Sequence, residues 1–265
     1  MARNKRRTTR RKRGGARSRA QSFKWLVRAG VALLLVLFFL VIWANRNRIL
    51  YHVQIDGKRY PITGIDLSSH NGDVDFEKVH EQGVSFVYLK ASEGVTFRDK
   101  KFRSNLAAAR RAGLKAGAYH FFRMSRDGKQ QAQLFAATVE GLTMDLPLVI
   151  DVEDWQNDKL VRDADKRARL AAMVSDLRQR GYDVMIYTNG DGYRKYVRGH
   201  FDHLPLWLCS FKSPAELAAI PHRFQQYSHW GEVPGVNGEV DLNIFTGSRL
   251  EWERWLNNPT PAPAQ

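Results

Sequence analysis

The run Leu146-Pro-Leu-Val-Ile-Asp-Val-Glu153 decides how this chain is read. Five of its residues are apolar, and a short unbroken apolar run reads as a buried strand. Two carboxylates then close it. On a strand, residues i and i+2 point to the same face, so Asp151 and Glu153 share one side, with Cα atoms about 6–7 Å apart. Like charges so placed beside an apolar wall push at least one pKa upward. The result is a proton donor beside a carboxylate that stays ionised, the pair that acetal cleavage requires. A bare Asp-x-Glu also reads as two solvated acids at the start of a loop, so the surrounding sequence has to decide.

Outward from this run the chain repeats one grammar: apolar strand, polar loop, amphipathic helix, glycine, next strand. Strands are predicted at 64–68, 86–91, 116–122, 146–153 and 184–188, with helices at 75–82, 99–112, 129–140 and 163–180. The last helix shows Leu170, Val174 and Leu177 at i, i+4 and i+7, a single buried stripe. Gly83, Gly113 and Gly181 each end a helix, as glycine does by adopting the left-handed C′ conformation without penalty. Such alternation gives parallel βαβ units. The grammar then changes. After a short helix near 190–196, strands at 206–211, 224–228 and 240–245 follow with almost no helix between them. A final helix starts at the capping-box pattern Ser248-Arg-Leu-Glu251. Eight strands, five with helices and three nearly without, predict an α/β fold: a modified TIM-like (β/α) barrel.

A barrel gives the other acids a meaning. Asp66 ends the first strand and Asp241 lies in the last. First and last strands are neighbours in a closed barrel, so these two can meet at its mouth, where the C-terminal strand ends hold the active site. Glu93 ends the second strand, Tyr119 and His120 lie in the third, Tyr187 in the fifth, Trp207 in the sixth, and Gln226-Tyr227 in the seventh. A cleft lined by acids and aromatic faces suits a sugar chain.

The N-terminal segment is a different kind of sequence. Residues 1–55 hold 14 Lys/Arg and no Asp or Glu, whereas the remaining 210 hold 28 Lys/Arg and 27 Asp/Glu. The formal net charge of +15 therefore belongs to this segment and not to the body, which argues against a nucleic-acid-binding body. Residues 1–24 are dense in Arg and Lys without apolar periodicity and read as a disordered cytoplasmic tail. Residues 25–44 form an apolar segment, uncharged from Ala29 onward and bounded by Trp25 and Trp43. That length fits the ~30 Å hydrocarbon core, and the tryptophans sit where interfacial anchors do. Arg28 can snorkel toward the headgroups. Twelve Lys/Arg lie up to Arg28, and only Arg46 and Arg48 closely follow the helix. The positive-inside rule then puts the N-terminus in the cytoplasm and the body outside, periplasmic in a host with an outer membrane. A cleaved signal peptide is the rival reading, weakened by the long apolar run and by the poor cleavage site Ile42-Trp43-Ala44. The basic tail serves topology and contact with membrane lipid. Residues 45–61 read as a lead-in, 62–256 as the catalytic barrel and 257–265 as a disordered proline-rich tail.

The ordered set Gly64-Ile-Asp-Leu-Ser-Ser69, Tyr88-Leu-Lys-Ala-Ser-Glu-Gly94, Ala118-Tyr-His-Phe-Phe122, Asp151-Val-Glu153, Ile186-Tyr-Thr-Asn189, Trp207, Gln226-Tyr227 and Val240-Asp-Leu-Asn243 resembles the glycoside hydrolase family 25 lysozymes, the Chalaropsis-type muramidases. The resemblance covers residues 62–256. It implies a flattened (β/α)5(β)3 barrel that hydrolyses the β-1,4 bond between N-acetylmuramic acid and N-acetylglucosamine in peptidoglycan glycan strands. Carried over residue by residue, it implies Glu153 as general acid. It gives Asp151 as the group that orients the substrate's own acetamido nucleophile, or as the nucleophile itself. Asp66 and Asp241 complete an acidic floor. Glu93, Tyr119, Tyr187, Trp207, Gln226 and Tyr227 are candidate substrate contacts. Ser69-His70 departs from the family, where an aromatic residue often follows the serine.

Other readings are bounded by the sequence. A binding module on the same barrel would need the aromatics but not the intact set of acids. A metal-dependent deacetylase would need a His/Asp ligand set, which is not visible, so no metal and no cofactor are expected. His120 reads as a hydrogen-bonded barrel residue. Cys209, the only cysteine, reads as a buried small apolar residue. The body is expected to be monomeric.

Overall fold

The computed structural model describes residues 15–50, 53–158 and 160–259. Among the described residues nine strands form one sheet: β1 (Thr63–Leu67), β2 (Val84–Glu93), β3 (Phe97–Arg98), β4 (Lys115–Phe121), β5 (Leu148–Asp151), β6 (Val184–Asn189), β7 (Leu206–Cys209), β8 (Phe224–Gly231) and β9 (Val240–Phe245). Their order is β1-β9-β8-β7-β6-β5-β4-β2-β3, and β1 also pairs with β2. Eight strands therefore close into a barrel, with β3 as a short antiparallel flap on β2. Pairing is parallel from β1 through β8, whereas β9 runs antiparallel to both β8 and β1. The expected mixed α/β barrel is the observed one.

The helices are α1 (Gly15–Leu50), α2 (Phe76–Glu81), α3 (Phe102–Arg111), α4 (Gly128–Val139), α5 (Asp163–Gln179), the single turn α6 (Gly190–Gly192) that continues as a π-helical turn over Tyr193–Val197, and α7 (Arg249–Asn257). Gly83, Gly113 and Gly181 hold φ of 82°, 90° and 86°, the left-handed conformation that their sequence context predicts. Ser248 and Glu251 form a reciprocal capping box at the start of α7.

Two apolar layers hold the barrel. Leu89, Ala118, Ile150, Ile186 and Leu208 face outward onto α3, α4 and α5 residues such as Leu106, Phe135 and Leu170. Inside lie Phe86, Tyr88, Val149, Met185, Phe224 and Phe245, sealed by Trp252 and Trp255 of α7. Phe86 and Phe224 sit near the starts of their strands and Phe245 at the end of antiparallel β9. This plug therefore fills the end opposite the C-termini of the parallel strands, and the other end is left open for chemistry.

Three expectations are corrected. Strand β5 stops at Asp151, so Glu153 stands two residues beyond it rather than within it. The third helix begins at Phe102 and not at Asp99, because the Asp99 carboxylate accepts from the backbone N–H of Ser69 and of Lys101 instead of entering the helix. The basic tail expected to be disordered enters α1 at Gly15, and α1 runs on to Leu50, into the stretch read as a lead-in. Extending a formed helix requires no new nucleus, so it can outrun the apolar segment at both ends. Residues 1–14 of the tail and 260–265 of the proline-rich end lie outside the described residues, and Asn257 belongs to α7. The 21 residues Phe23–Trp43 within α1 are long and apolar enough to cross a membrane, and their large apolar side chains are exposed.

Candidate active site

A cavity of about 870 Å³ opens at the C-terminal end of the parallel strands and brings together Asp66, Asp151, Glu153 and Asp241. Asp66 and Asp241 are Cα partners across β1 and β9. Asp66 Oδ2 accepts from Gln226 Nε2 and from Asn243 Nδ2, both at 2.8 Å. Gln226 Oε1 in turn accepts from Tyr187 Oη at 2.7 Å, and Asn243 Oδ1 accepts from Trp207 Nε1 at 2.9 Å. One hydrogen-bonded chain thus ties five strands to a single carboxylate. Trp207 also stacks on Tyr88, ring centroids 4.8 Å apart. Tyr119 and Glu93 line the same cavity. Tyr227 does not: it follows inward-facing Gln226 on β8, so the pleat turns it to the other face.

Burial dominates the electrostatics. It pushes the Asp151 carboxyl well up, the charge of Glu153 adds to this, and Lys90 opposes it. It also raises Glu153, with Asp241 adding, while His229 and a hydrogen bond from Asn189 act to lower it. Asp66 is pushed up by burial and then by Asp241, against its two amide donors. Asp151 and Glu153 therefore titrate as a pair that retains a proton beyond the ordinary carboxylate range, which equips the site to donate one. Asp151 Oδ1 is buried with no hydrogen-bond partner among the described residues.

The loop after Glu153 is fixed rather than loose. Asn157 Nδ2 donates to the carbonyls of Phe122 and Glu153 at 3.0 and 2.8 Å, and its Oδ1 accepts from the Met124 N–H at 2.8 Å. Asp154 receives Lys195 Nζ at 2.6 Å and Tyr196 Oη at 2.5 Å. Gln156 takes φ of 55°, and its carbonyl accepts from Arg123. This geometry presents Trp155, 66% exposed, edge-on to Phe121 on the cavity wall. Lys90 and Arg123 both pair with Glu93 and lie over the Phe121 ring.

Several of these residues escaped the sequence reading. Lys90 follows Phe86 and Tyr88 on the inward face of β2, but it lay inside a motif that was read for Glu93 alone. Trp155 lies in a loop, where no periodicity exists to place it. His229 stands beside Asp241 and within 3.9 Å of Cys209 Sγ, although the two are 20 residues apart in sequence. The thiol is pushed far up by burial and by Glu153, which keeps it protonated and inert. His120 is fully buried, bonded to Ser92 and Gln131, and burial lowers its pKa to about 4, so it is a neutral barrel residue. Among the described residues, no group of three or more His, Cys, Asp or Glu is placed to hold a metal ion.

A closed barrel with a buried carboxylate pair at its mouth is an arrangement suited to acid-catalysed cleavage of a glycosidic bond. Residues 65–236 match the family described as Glycosyl hydrolases family 25, and the chain belongs to that family. It is 34% identical over 183 residues to the autolytic lysozyme of Clostridium acetobutylicum, covering 69% of this chain and 55% of that protein. This chain thus spans little more than half of that relative's length. It is 32% identical over 212 residues to lysozyme M1 of Streptomyces globisporus, covering 74% of this chain and 72% of that protein. The solved family 25 glycosyl hydrolase from Bacillus anthracis superposes with a TM-score of 0.66 at 29% identity, over 77% of this chain and 96% of that one.

Proposed function

We propose that this chain is a peptidoglycan hydrolase that cleaves the β-1,4 bond between N-acetylmuramic acid and N-acetylglucosamine. The observation that carries this is the convergence of Asp66, Asp151, Glu153 and Asp241 in one cavity with Asp151 and Glu153 both raised. A module that only bound glycan would gain nothing from buried, mutually repelling acids.

Glu153 protonates the leaving oxygen. Asp151 holds the substrate's acetamido group as its oxygen attacks the anomeric carbon and the leaving sugar departs; water then opens the cyclic oxazolinium, giving its proton to the Glu153 carboxylate, and the β configuration is retained. The unpartnered Asp151 Oδ1 supports this role. A buried acceptor left unpaired costs about 1–3 kcal/mol, and an acetamido N–H would satisfy it. That hydrogen bond also favours the ionised form of Asp151, so substrate binding leaves the pair's proton on Glu153. Asp66 and Asp241 complete the negative floor beneath the developing oxocarbenium charge.

Segment 23–43 of α1 acts as an uncleaved anchor in the lipid bilayer, with the N-terminus in the cytoplasm and the barrel, a monomer, on the outer side where the wall lies. Purified peptidoglycan should release fragments with N-acetylmuramic acid at the new reducing ends, read by mass spectrometry. Ends carrying N-acetylglucosamine, or release of acetate without chain cleavage, would overturn the reading.

A further inference from the structure

The cavity holds one titratable cationic side chain that sits directly on a carboxylate of the acidic floor, and the strand is deformed to put it there. Between Gln226 and Gly231 β8 advances five residues while β9 advances three, from Asn243 to Val240. Two extra residues are thus accommodated on β8. In a regular strand Gln226 and Ser228 would face the cavity and His229 would face away. With the bulged register His229 lines the cavity together with Gln226. Bulges beside active sites re-aim a side chain in this way.

The imidazole is held on three sides. Its Nδ1 lies 2.6 Å from Asp241 Oδ1. The Phe211 ring packs edge-on at 4.9 Å between centroids, and Cys209 Sγ approaches Nε2 at 3.9 Å. The charged groups that face it are Asp241 from β9, Asp66 from β1 and Glu153 from the loop after β5. Its own strand offers only neutral neighbours, and β7 offers a protonated thiol. Burial alone would lower the pKa of His229, but the Asp241 hydrogen bond and the three carboxylate charges raise it. The same charge acts back on Glu153 and on Asp66 in the lowering direction.

We propose that His229 is a positioning residue that carries the titrating positive charge of this site: held on Asp241, its imidazolium offsets the surrounding carboxylates and sets the upper pH limit at which Glu153 still holds a proton. The sign follows from Coulomb's law. A cation beside Glu153 favours its ionised form, so the imidazolium brings forward the loss of the catalytic proton as pH rises. Removing the cation lets Glu153 stay protonated to higher pH. This role rests on the reading of Glu153 as proton donor.

Two measurements on the full-length chain in detergent micelles separate the possibilities. In the first, the pH profile of kcat/KM on peptidoglycan is compared for wild type, His229→Gln and His229→Lys. His229→Gln should move the alkaline limb to higher pH by about half a unit or more, and His229→Lys, which keeps a cation, should return it to the wild-type position or below. A His229→Gln profile lowered by one factor at every pH would mean a merely structural role and overturn the proposal. The second needs no substrate. The ring signals of isotopically labelled histidines are titrated in wild type and in Glu153→Gln, with His229 identified by its loss in His229→Gln. Coupling is reciprocal, so neutralising Glu153 must lower the His229 midpoint, and an unmoved midpoint overturns the proposal. Wild type without activity on peptidoglycan, but with the midpoint shift present, would sink the functional reading while leaving the charge coupling standing.

Discussion

Asp66 on β1 and Asp241 on β9 stand opposite each other across the antiparallel seam that closes the barrel. Like charges directly opposite on paired strands destabilise the pairing. Here the seam survives because two amides hold Asp66 and an imidazole holds Asp241. The first and last strands are thus joined at the point where the fold is electrostatically least comfortable.

That relationship has a measurable consequence for stability. The Asp66 pKa is raised in the folded chain by burial and by Asp241. The favourable contribution of its protonated form is fully present below the unfolded value, about 3.9, and is lost as pH rises through the folded value. Asp66→Asn keeps the shape and removes this loss. The melting temperature of Asp66→Asn minus that of wild type should therefore be small at pH 4 and grow as pH increases toward neutrality. A difference that stays constant or shrinks would contradict the assignment.

Glu153→Gln cannot donate a proton. Turnover should fall by two or more orders of magnitude, a loss of roughly 3 kcal/mol or more at the transition state. Binding of soluble glycan fragments, measured by calorimetry, should persist. Near wild-type cleavage by this variant would refute the catalytic assignment.

Trp155 presents an exposed flat face on the cavity wall, on a loop held by Asn157 and Arg123. Such a face packs against the apolar side of a sugar ring. Trp155→Ala should raise KM about five- to tenfold, worth ~1 kcal/mol, with kcat changed far less. A collapse of kcat at constant KM would place the indole in the chemistry instead.

Gly64 of β1 faces the Phe86 ring so closely that an added Cβ would stand 2.3 Å from it. The ring is fully buried among Tyr88, Phe224 and Trp252 and has nowhere to retreat. Gly64→Ala should cost about 1–3 kcal/mol of stability and depress the melting temperature by about 2–4 °C for each kcal/mol. An unchanged melting temperature would show the plug to be softer than its packing implies.

For the anchor, the expected outcome is a topology. An alkaline phosphatase fused after Gln265 should be active in a bacterial host, and a reporter that works only in the cytoplasm should be silent at the same junction. The opposite pattern would invert the orientation read from the charges around residues 23–43.

The order of the strands, the helix ends at Gly83, Gly113 and Gly181, and the meeting of Asp66 with Asp241 were legible because each rests on local periodicity or on barrel closure. Asp151 and Glu153 were legible as a pair, although Glu153 proved to lie past the strand end. His229 was overlooked because side-chain direction on β8 is reset by two extra residues, and a bulge leaves no mark in the hydrophobic pattern; Tyr227 was placed in the cleft although alternation from Gln226 turns it away. Trp155 escaped because its loop is aimed by long-range hydrogen bonds, from Asn157 to Phe122 and Met124 and from Arg123 to Gln156, and these are known only after folding. Helix α1 exceeded its expected bounds because charge and apolarity define a membrane segment but not where a helix stops.

The insertion of β9 between β1 and β8 also sets an order in time. A chain made from its N-terminus supplies Asp66 early, Asp151 and Glu153 midway, and Gln226, Asp241 and Asn243 close to the end. Until that last strand has slotted home, the ring stays open, Asp66 lacks the Asn243 donor, and Asp241 has not joined the other carboxylates. A copy clipped before β9 would therefore carry the other acids without the cavity that gathers them, and the site is complete only when that strand is in place.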